Sequence, residues 1–204
     1  MDLDPRQAAF AFLARLGSAL VPQYRGRPGR AVHIPQVFEA PWITGMALPL
    51  AERRAPSQTV ALVDGTEFHR ETDEAAVARA YQERRRTRVY ESIDALSDGW
   101  YSLVVPHLAK LLRVRVICTM YESHAADSSI GAHHDGWYGA IVQMRGAKHW
   151  TIWSDADSDP REVLTQAGDV LLLPKGVTHA VDTPDYSVHL VFAITEESIE
   201  ISPG

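Results

Sequence analysis

From Val114 onward the sequence breaks into short β-rich runs, and this texture restricts the fold more than any other feature. The runs are Val114 to Tyr121, Tyr138 to Met144, His149 to Trp153, Val170 to Leu173 and Ser187 to Ile194. Turn signals separate them at Gly131, Arg145-Gly146, Asp155 to Pro160, Ala167-Gly168-Asp169, Pro174-Lys175-Gly176 and Thr183-Pro184-Asp185. Short strands joined by regular turns close into a β-sandwich or jelly roll. The preceding part of the chain reads differently. Asp4-Pro5 supplies an N-cap and a first-turn proline for a helix from about 5 to 20, with Ala9, Phe10, Leu13, Leu16 and Leu20 at helical spacing. The prolines and glycines from Val21 to Pro56 predict irregular chain with one short strand at Ala31 to Ile34. A strand at Thr59 to Val63 follows, then a helix from Asp73 to Arg86 with an acidic first turn and a basic end. A further helix ends near Leu112, interrupted or bent at Pro106. Residues 1–112 are thus expected to form helical and irregular elements packed on a β core of residues 113–204, the two making one structural unit.

A chain of 204 residues, 46% hydrophobic and 23% charged, can bury a self-sufficient core. Cys118 is the only cysteine, which excludes an intrachain disulfide and a Cys-based zinc site. Any metal must be held by histidines and carboxylates. A formal charge of −6 argues against a general nucleic-acid binder, and no apolar run approaches the length needed to cross a bilayer. The start, Met1-Asp2-Leu3-Asp4-Pro5, is acidic where a secretory signal is basic. A cytoplasmic protein without nucleic-acid or membrane partners is expected, its oligomeric state open.

The most informative stretch is Gly131-Ala132-His133-His134-Asp135-Gly136-Trp137. In an extended strand His133 and Asp135 project from one face and His134 from the other, so the pair can chelate one ion. A third ligand is at hand in His179, at the end of Leu173-Pro174-Lys175-Gly176-Val177-Thr178-His179, where a turn delivers a new strand. Two histidines and one carboxylate leave coordination positions open, which suits non-haem Fe(II), O₂ and a bidentate co-substrate. The triplet alone is equally compatible with a solvated histidine-rich turn. Lys148, opening an otherwise apolar strand, adds weight. A lysine near the interior of a β roll costs desolvation unless an anion meets it, as the distal carboxylate of 2-oxoglutarate would. The alternative is a solvated lysine at the strand entry.

Taken jointly and in order, several segments resemble the JmjC-domain hydroxylases, most closely their ribosomal oxygenase branch. They are Tyr121, His133-His134-Asp135, Gln143, Gly146-Ala147-Lys148-His149-Trp150, Gly168-Asp169-Val170 and Thr178-His179-Ala180-Val181-Asp182-Thr183-Pro184. The resemblance runs from about Val114 to Thr195 and implies an α+β fold: a double-stranded β-helix of the jelly-roll, cupin/JmjC kind with an N-terminal helical extension. It implies iron on His133, Asp135 and His179, with Lys148 and Tyr121 on the distal carboxylate of 2-oxoglutarate. Thr119 falls where an asparagine is common in the family. The implied activity is a dioxygenase that uses Fe(II), 2-oxoglutarate and O₂ to hydroxylate an unactivated C–H bond, releasing succinate and CO₂. Ribosomal oxygenases extend into dimerisation and winged-helix regions, whereas this chain stops nine residues after Thr195. The expected substrate is therefore a small molecule, amino acid or peptide, with a protein side chain also possible.

Other residues stay open at this level. His189 on the last strand is a co-substrate neighbour or a satisfied core histidine. His134 is packed, solvated or a substrate contact, and Trp137 and Tyr138 line a substrate mouth or simply pack. The basic run Glu83 to Arg88 is a solvated helix end or an acidic-ligand site. Substrate choice is expected from Val21 to Pro56 and Gly65 to Gly99. A cupin metalloenzyme independent of 2-oxoglutarate, or a metal-stabilised binding module without turnover, remains as an alternative.

Overall fold

A computed structural model describes residues 4–26, 29–50, 59–95, 99–153 and 159–199. Among the described residues the α-helices are α1 (Pro5–Gly26), α2 (Ala40–Thr44), α3 (Glu74–Glu83) and α4 (Trp100–Leu112). The strands begin with β1 (Val32–Ile34), β2 (Val60–Asp64), β3 (Glu67–Glu71), β4 (Thr87–Tyr90) and β5 (Val114–His124). They continue with β6 (Tyr138–Trp153), β7 (Arg161–Gln166), β8 (Val170–Leu173), β9 (Thr178–Asp182) and β10 (Tyr186–Ser198). Among the described residues no helix is long and apolar enough to cross a membrane.

All strand pairings are antiparallel, and β6 is the element that makes two layers of them. Its first half pairs with β8 and β10 in a large sheet of order β1-β8-β6-β10-β5-β4-β2-β3. Its second half pairs with β7 on one side and β9 on the other. The change of partners falls at Arg145-Gly146, where the register with β10 slips between Val188 and His189. A bulge of this kind bends a strand and lets it pass from one sheet to the next. Gly146 has φ +62, and a side chain there would run into the carbonyl of Tyr186. Arg145-Gly146 is thus a bend within one strand, not the turn between two that the sequence predicts. The fold is a jelly-roll, double-stranded β-helix core with flanking helices.

The central strands of the large sheet are buried on both faces, and side-chain alternation sorts their residues. Cys118 and Met120 of β5, Val142 of β6 and Phe192 of β10 face a core shared with Phe12 and Leu16 of α1 and Val104 and Leu108 of α4. Ile141, Leu171, Leu173 and Val191 face the other way, toward Trp150, Ile152 and Val163 of the smaller sheet. That second face builds the site.

The N-terminal region is more strand-rich than its sequence suggests, since β1 to β4 all join the large sheet. α1 also continues past Leu20 through Pro22, and Tyr24 packs edge-on against Tyr138 at 5.3 Å. The second half of the helix thereby gains a partly buried contact that offsets the proline. α4 runs unbroken through Pro106. α3 is capped by Asp73, whose side chain accepts from Ala76 N–H, but it stops at Glu83, so the arginines lie beyond the helix. They are engaged at home. Arg84 pairs with Asp64, Arg85 with Asp127 and Arg88 with Glu122, while Arg86 donates to the Ala80 carbonyl at the helix end.

Candidate active site

Between the two sheets lies a cavity of about 290 Å³, whose wall includes His133, Asp135, His179, Lys148, Tyr121 and His189. The segment carrying His133 and Asp135 is a loop rather than a strand, held to β9 at one point. His133 N–H donates to the His179 carbonyl at 2.9 Å, and His179 N–H to the His133 carbonyl at 2.8 Å. Gly176 N–H donates to the Asp135 carbonyl at 2.9 Å, a second tie between this loop and the turn before β9. The alternation expected of the triplet survives locally, with His133 and Asp135 partly buried and His134 exposed.

One nitrogen or oxygen from each of His133, Asp135 and His179 lies within 4.8 Å of the others, a group able to hold a metal ion. Hydrogen bonding sets the histidine tautomers. His133 Nδ1 meets the Gly131 carbonyl at 2.9 Å and His179 Nδ1 meets the Val177 carbonyl at 3.0 Å. A carbonyl can only accept, so each Nδ1 carries the proton and each Nε2 keeps its lone pair for a metal. Asp135 Oδ2 stands 3.7 Å from His179 Nε2, on the side these lone pairs face. Burial raises the Asp135 carboxyl pKa, partly opposed by His179, and burial lowers that of His179. The donor set is nitrogen and oxygen without sulfur, which fits a divalent first-row metal.

The other end of the cavity is polar in a different way. On β6, Lys148, Trp150 and Ile152 point inward, and Lys148 is 1% exposed. Its ammonium donates to Ser123 Oγ and Thr183 Oγ1, both at 2.6 Å, and those hydroxyls are 2.8 Å apart. Among the described residues no carboxylate pairs with it. Burial pulls the Lys148 pKa down to about 8, with Asp182 and Asp127 opposing from a distance. Hydroxyls alone are poor compensation for a buried ammonium.

Between the two ends sit aromatic rings. His189 stacks on Tyr121 at 5.0 Å with 2° between planes, and Trp150 lies 5.7 Å from His189 and 6.0 Å from His179. Trp150 Nε1 donates to Thr165 Oγ1 at 3.0 Å, which in turn donates to Gln143 Oε1 at 3.1 Å. Gln143 is thereby a scaffold for the Trp150 ring. Burial, reinforced by Lys148, holds the His189 pKa well below the usual histidine value, and its Nδ1 is buried without a partner among the described residues. Burial raises the Tyr121 phenol pKa, so it stays a neutral donor.

Several residues singled out in the sequence lie elsewhere. Thr119 shares a face with Tyr121 but the cavity wall does not include it. Trp137 lines the cavity, whereas Tyr138 packs against Tyr24. Asp169 ties the β7–β8 turn to the N-terminal segment, accepting from Gln36 N–H at 2.9 Å and Gln166 N–H at 3.1 Å and meeting His33 Nε2 at 2.9 Å. Of the two segments expected to set substrate choice, Val21 to Pro56 contributes no described residue to the wall, whereas Gly65 to Gly99 contributes Phe68, Thr87 and Val89, joined by Val63 of β2. Ser123 is not identifiable as a site residue in the sequence, since a single hydroxyl carries no spacing signal, and Thr183 lies in the Thr178-to-Pro184 segment without a role assigned to it there.

No family model matches the chain. It is 28% identical to mouse ribosomal oxygenase 2 over 92 aligned positions, which take in 36% of this chain and 20% of the mouse protein. The ribosomal oxygenase YcfD of Escherichia coli superposes with TM-score 0.62 at 14% identity, covering 90% of this chain and 51% of YcfD. A structure of YcfD with cobalt and 2-oxoglutarate superposes at TM-score 0.58 and 14% identity, over 86% of this chain and 49% of YcfD. A 2OG-Fe(II) oxygenase family protein of Burkholderia pseudomallei gives 0.53 at 15% identity over 91% of this chain and 92% of its own. The chain spans about half the length of YcfD and a fifth of the mouse protein. It shares the fold of these 2OG-Fe(II) and ribosomal oxygenases and carries, inside that fold, a His/Asp/His group able to hold a metal.

Proposed function

We propose that the chain is an Fe(II)- and 2-oxoglutarate-dependent dioxygenase that hydroxylates a C–H bond. The overall change converts R–H, O₂ and 2-oxoglutarate into R–OH, succinate and CO₂. One observation supports this most strongly: a buried ammonium, Lys148, whose partners among the described residues are hydroxyls, lines the same cavity as His133, Asp135 and His179. A dicarboxylate that chelates a metal at one end and meets a cation at the other matches both ends of that cavity.

In this reading His133, Asp135 and His179 hold Fe(II), which supplies O₂ activation coupled to oxidative decarboxylation of 2-oxoglutarate. The protein's share is placement. Lys148, fixed by Ser123 and Thr183, receives the distal carboxylate, and the Tyr121 phenol can donate to the same group. His189, neutral and with an open Nδ1, offers a further contact on the co-substrate side. Trp150, pinned through Thr165 and Gln143, lends the cavity an apolar ring face between the two ends. With Asp135 in place all three positions of the facial triad are filled, which favours hydroxylation over halogenation. A metalloenzyme that does not use 2-oxoglutarate leaves Lys148 without a counter-charge.

The test is turnover of 2-oxoglutarate without added substrate. Fe(II)-loaded protein in air is expected to form succinate slowly, as followed by NMR, and His179→Ala and Asp135→Ala are expected to form none above the free-iron blank. Succinate formation equal in the wild type and both variants would remove the metal assignment.

A further inference from the structure

The wall of the cavity that is occupied by neither the metal group nor Lys148 is apolar. Val63 of β2 and Val89 of β4 form a strip with Ala61, against which Tyr121 and Ile130 pack. Phe68, 39% exposed on the edge strand β3, stands where this strip reaches solvent. Ile141, Leu173 and Val191 of the large sheet continue the apolar lining inward.

Charge is nearly absent from this lining. Among the described residues Asp135 is the only carboxylate on the wall and Lys148 the only ammonium. Both belong to groups that the oxygenase reading already occupies. The nearby arginines are tied up: Arg84 by Asp64, Arg85 by Asp127, Arg88 by Glu122, and Arg70 by Glu91. A substrate bringing an ammonium, guanidinium or carboxylate would bury it with no opposite charge to meet. Besides Tyr121, the hydroxyls of Thr87 and Ser129 are the polar groups on the outer wall, enough to orient an amide or alcohol. At about 290 Å³ the cavity is at the lower end for a ligand site, so with a co-substrate seated it has space for a side-chain-sized group.

Resting on the oxygenase reading above, we infer that the group presented to the metal centre is an uncharged, apolar one of amino-acid side-chain size, gripped by Val63, Val89, Ile130 and Phe68. Cationic and anionic side chains are disfavoured by the same wall.

The test uses the full chain loaded with Zn(II) and 2-oxoglutarate, with N-acetyl-leucine amide, N-acetyl-arginine amide and N-acetyl-glutamate amide as probes in saturation-transfer NMR. The leucine probe is expected to bind roughly tenfold or more tightly than either charged probe, from the apolar area it buries. Val89→Asp is expected to bring the leucine-to-arginine preference toward or below one. Val89→Thr, which keeps the side-chain volume, is expected to reduce it in the same direction. A wild type that binds a charged probe as tightly as leucine, or does not bind leucine, overturns the inference, as does a preference unmoved by both variants. 2-Oxoglutarate is titrated separately: if it fails to bind while the leucine preference holds, the co-substrate reading falls and the apolar subsite stands.

Discussion

Lys148 concentrates the chemistry at the scale of single residues. An ammonium that is 1% exposed and hydrogen-bonded only to hydroxyls is less stable protonated in the fold than in the open chain. Its pKa is lowered to about 8 from 10.5, so between those values the unfolded state binds more protons than the folded one. Stability from this group therefore rises as pH climbs from about 8 to 10.5, while affinity for a dicarboxylate falls over the same interval because the cation is being lost. Urea midpoints and 2-oxoglutarate titrations at several pH values check the two opposite trends, and both should flatten in Lys148→Met. That variant should weaken 2-oxoglutarate binding by roughly tenfold or more, the loss of a charge-assisted contact, without lowering the melting temperature. Lys148 was legible in the sequence because a charge on an otherwise apolar strand is anomalous. Its partners Ser123 and Thr183 were not, since their position depends on which strands become neighbours.

Among the elements, β6 carries the architecture. The sequence reads as two strands around an Arg145-Gly146 turn, because a glycine beside a charge between apolar runs is what a turn looks like. In the fold the same dipeptide is a bulge, and the positive φ at Gly146 lets one strand serve both sheets. Gly146→Ala should cost at least about 1–3 kcal/mol, from left-handed strain plus the collision with the Tyr186 carbonyl, read as a lower urea midpoint. The bend positions Lys148 two residues later, so 2-oxoglutarate binding should weaken along with stability. Strands β3 and β7 went unread for a plain reason. Glu67–Glu71 has no buried residue, and Arg161–Gln166 buries only Val163 and Thr165, so neither shows an apolar alternation. The β9 strand was anticipated only as the place where His179 begins, and β4 was hidden behind the arginine run. Pro22 and Pro106 acted as weaker breaks than expected because the helices around them are anchored by buried contacts.

At the scale of the whole molecule, two sheets share one strand and enclose a cavity with a metal-capable group at one end and, at the other, an ammonium held by two hydroxyls. The ordering of the motifs made the roll and the convergence of His133, Asp135 and His179 legible in advance, because each of the three sits at a turn or strand boundary that the sequence marks. The outer wall was less legible. Of the two segments expected there, Gly65 to Gly99 supplies Phe68, Thr87 and Val89 while the proline-rich stretch after α1 supplies no described residue, and the placement depends on long-range pairing such as Val89 opposite Tyr121. The most direct measurement of the central claim is an anaerobic titration of the Fe(II)-loaded protein with 2-oxoglutarate, following the visible metal-to-ligand charge-transfer band. A saturable band that disappears in His179→Ala and needs far more 2-oxoglutarate in Lys148→Ala is the expected result, whereas iron binding with a spectrum indifferent to 2-oxoglutarate would contradict it.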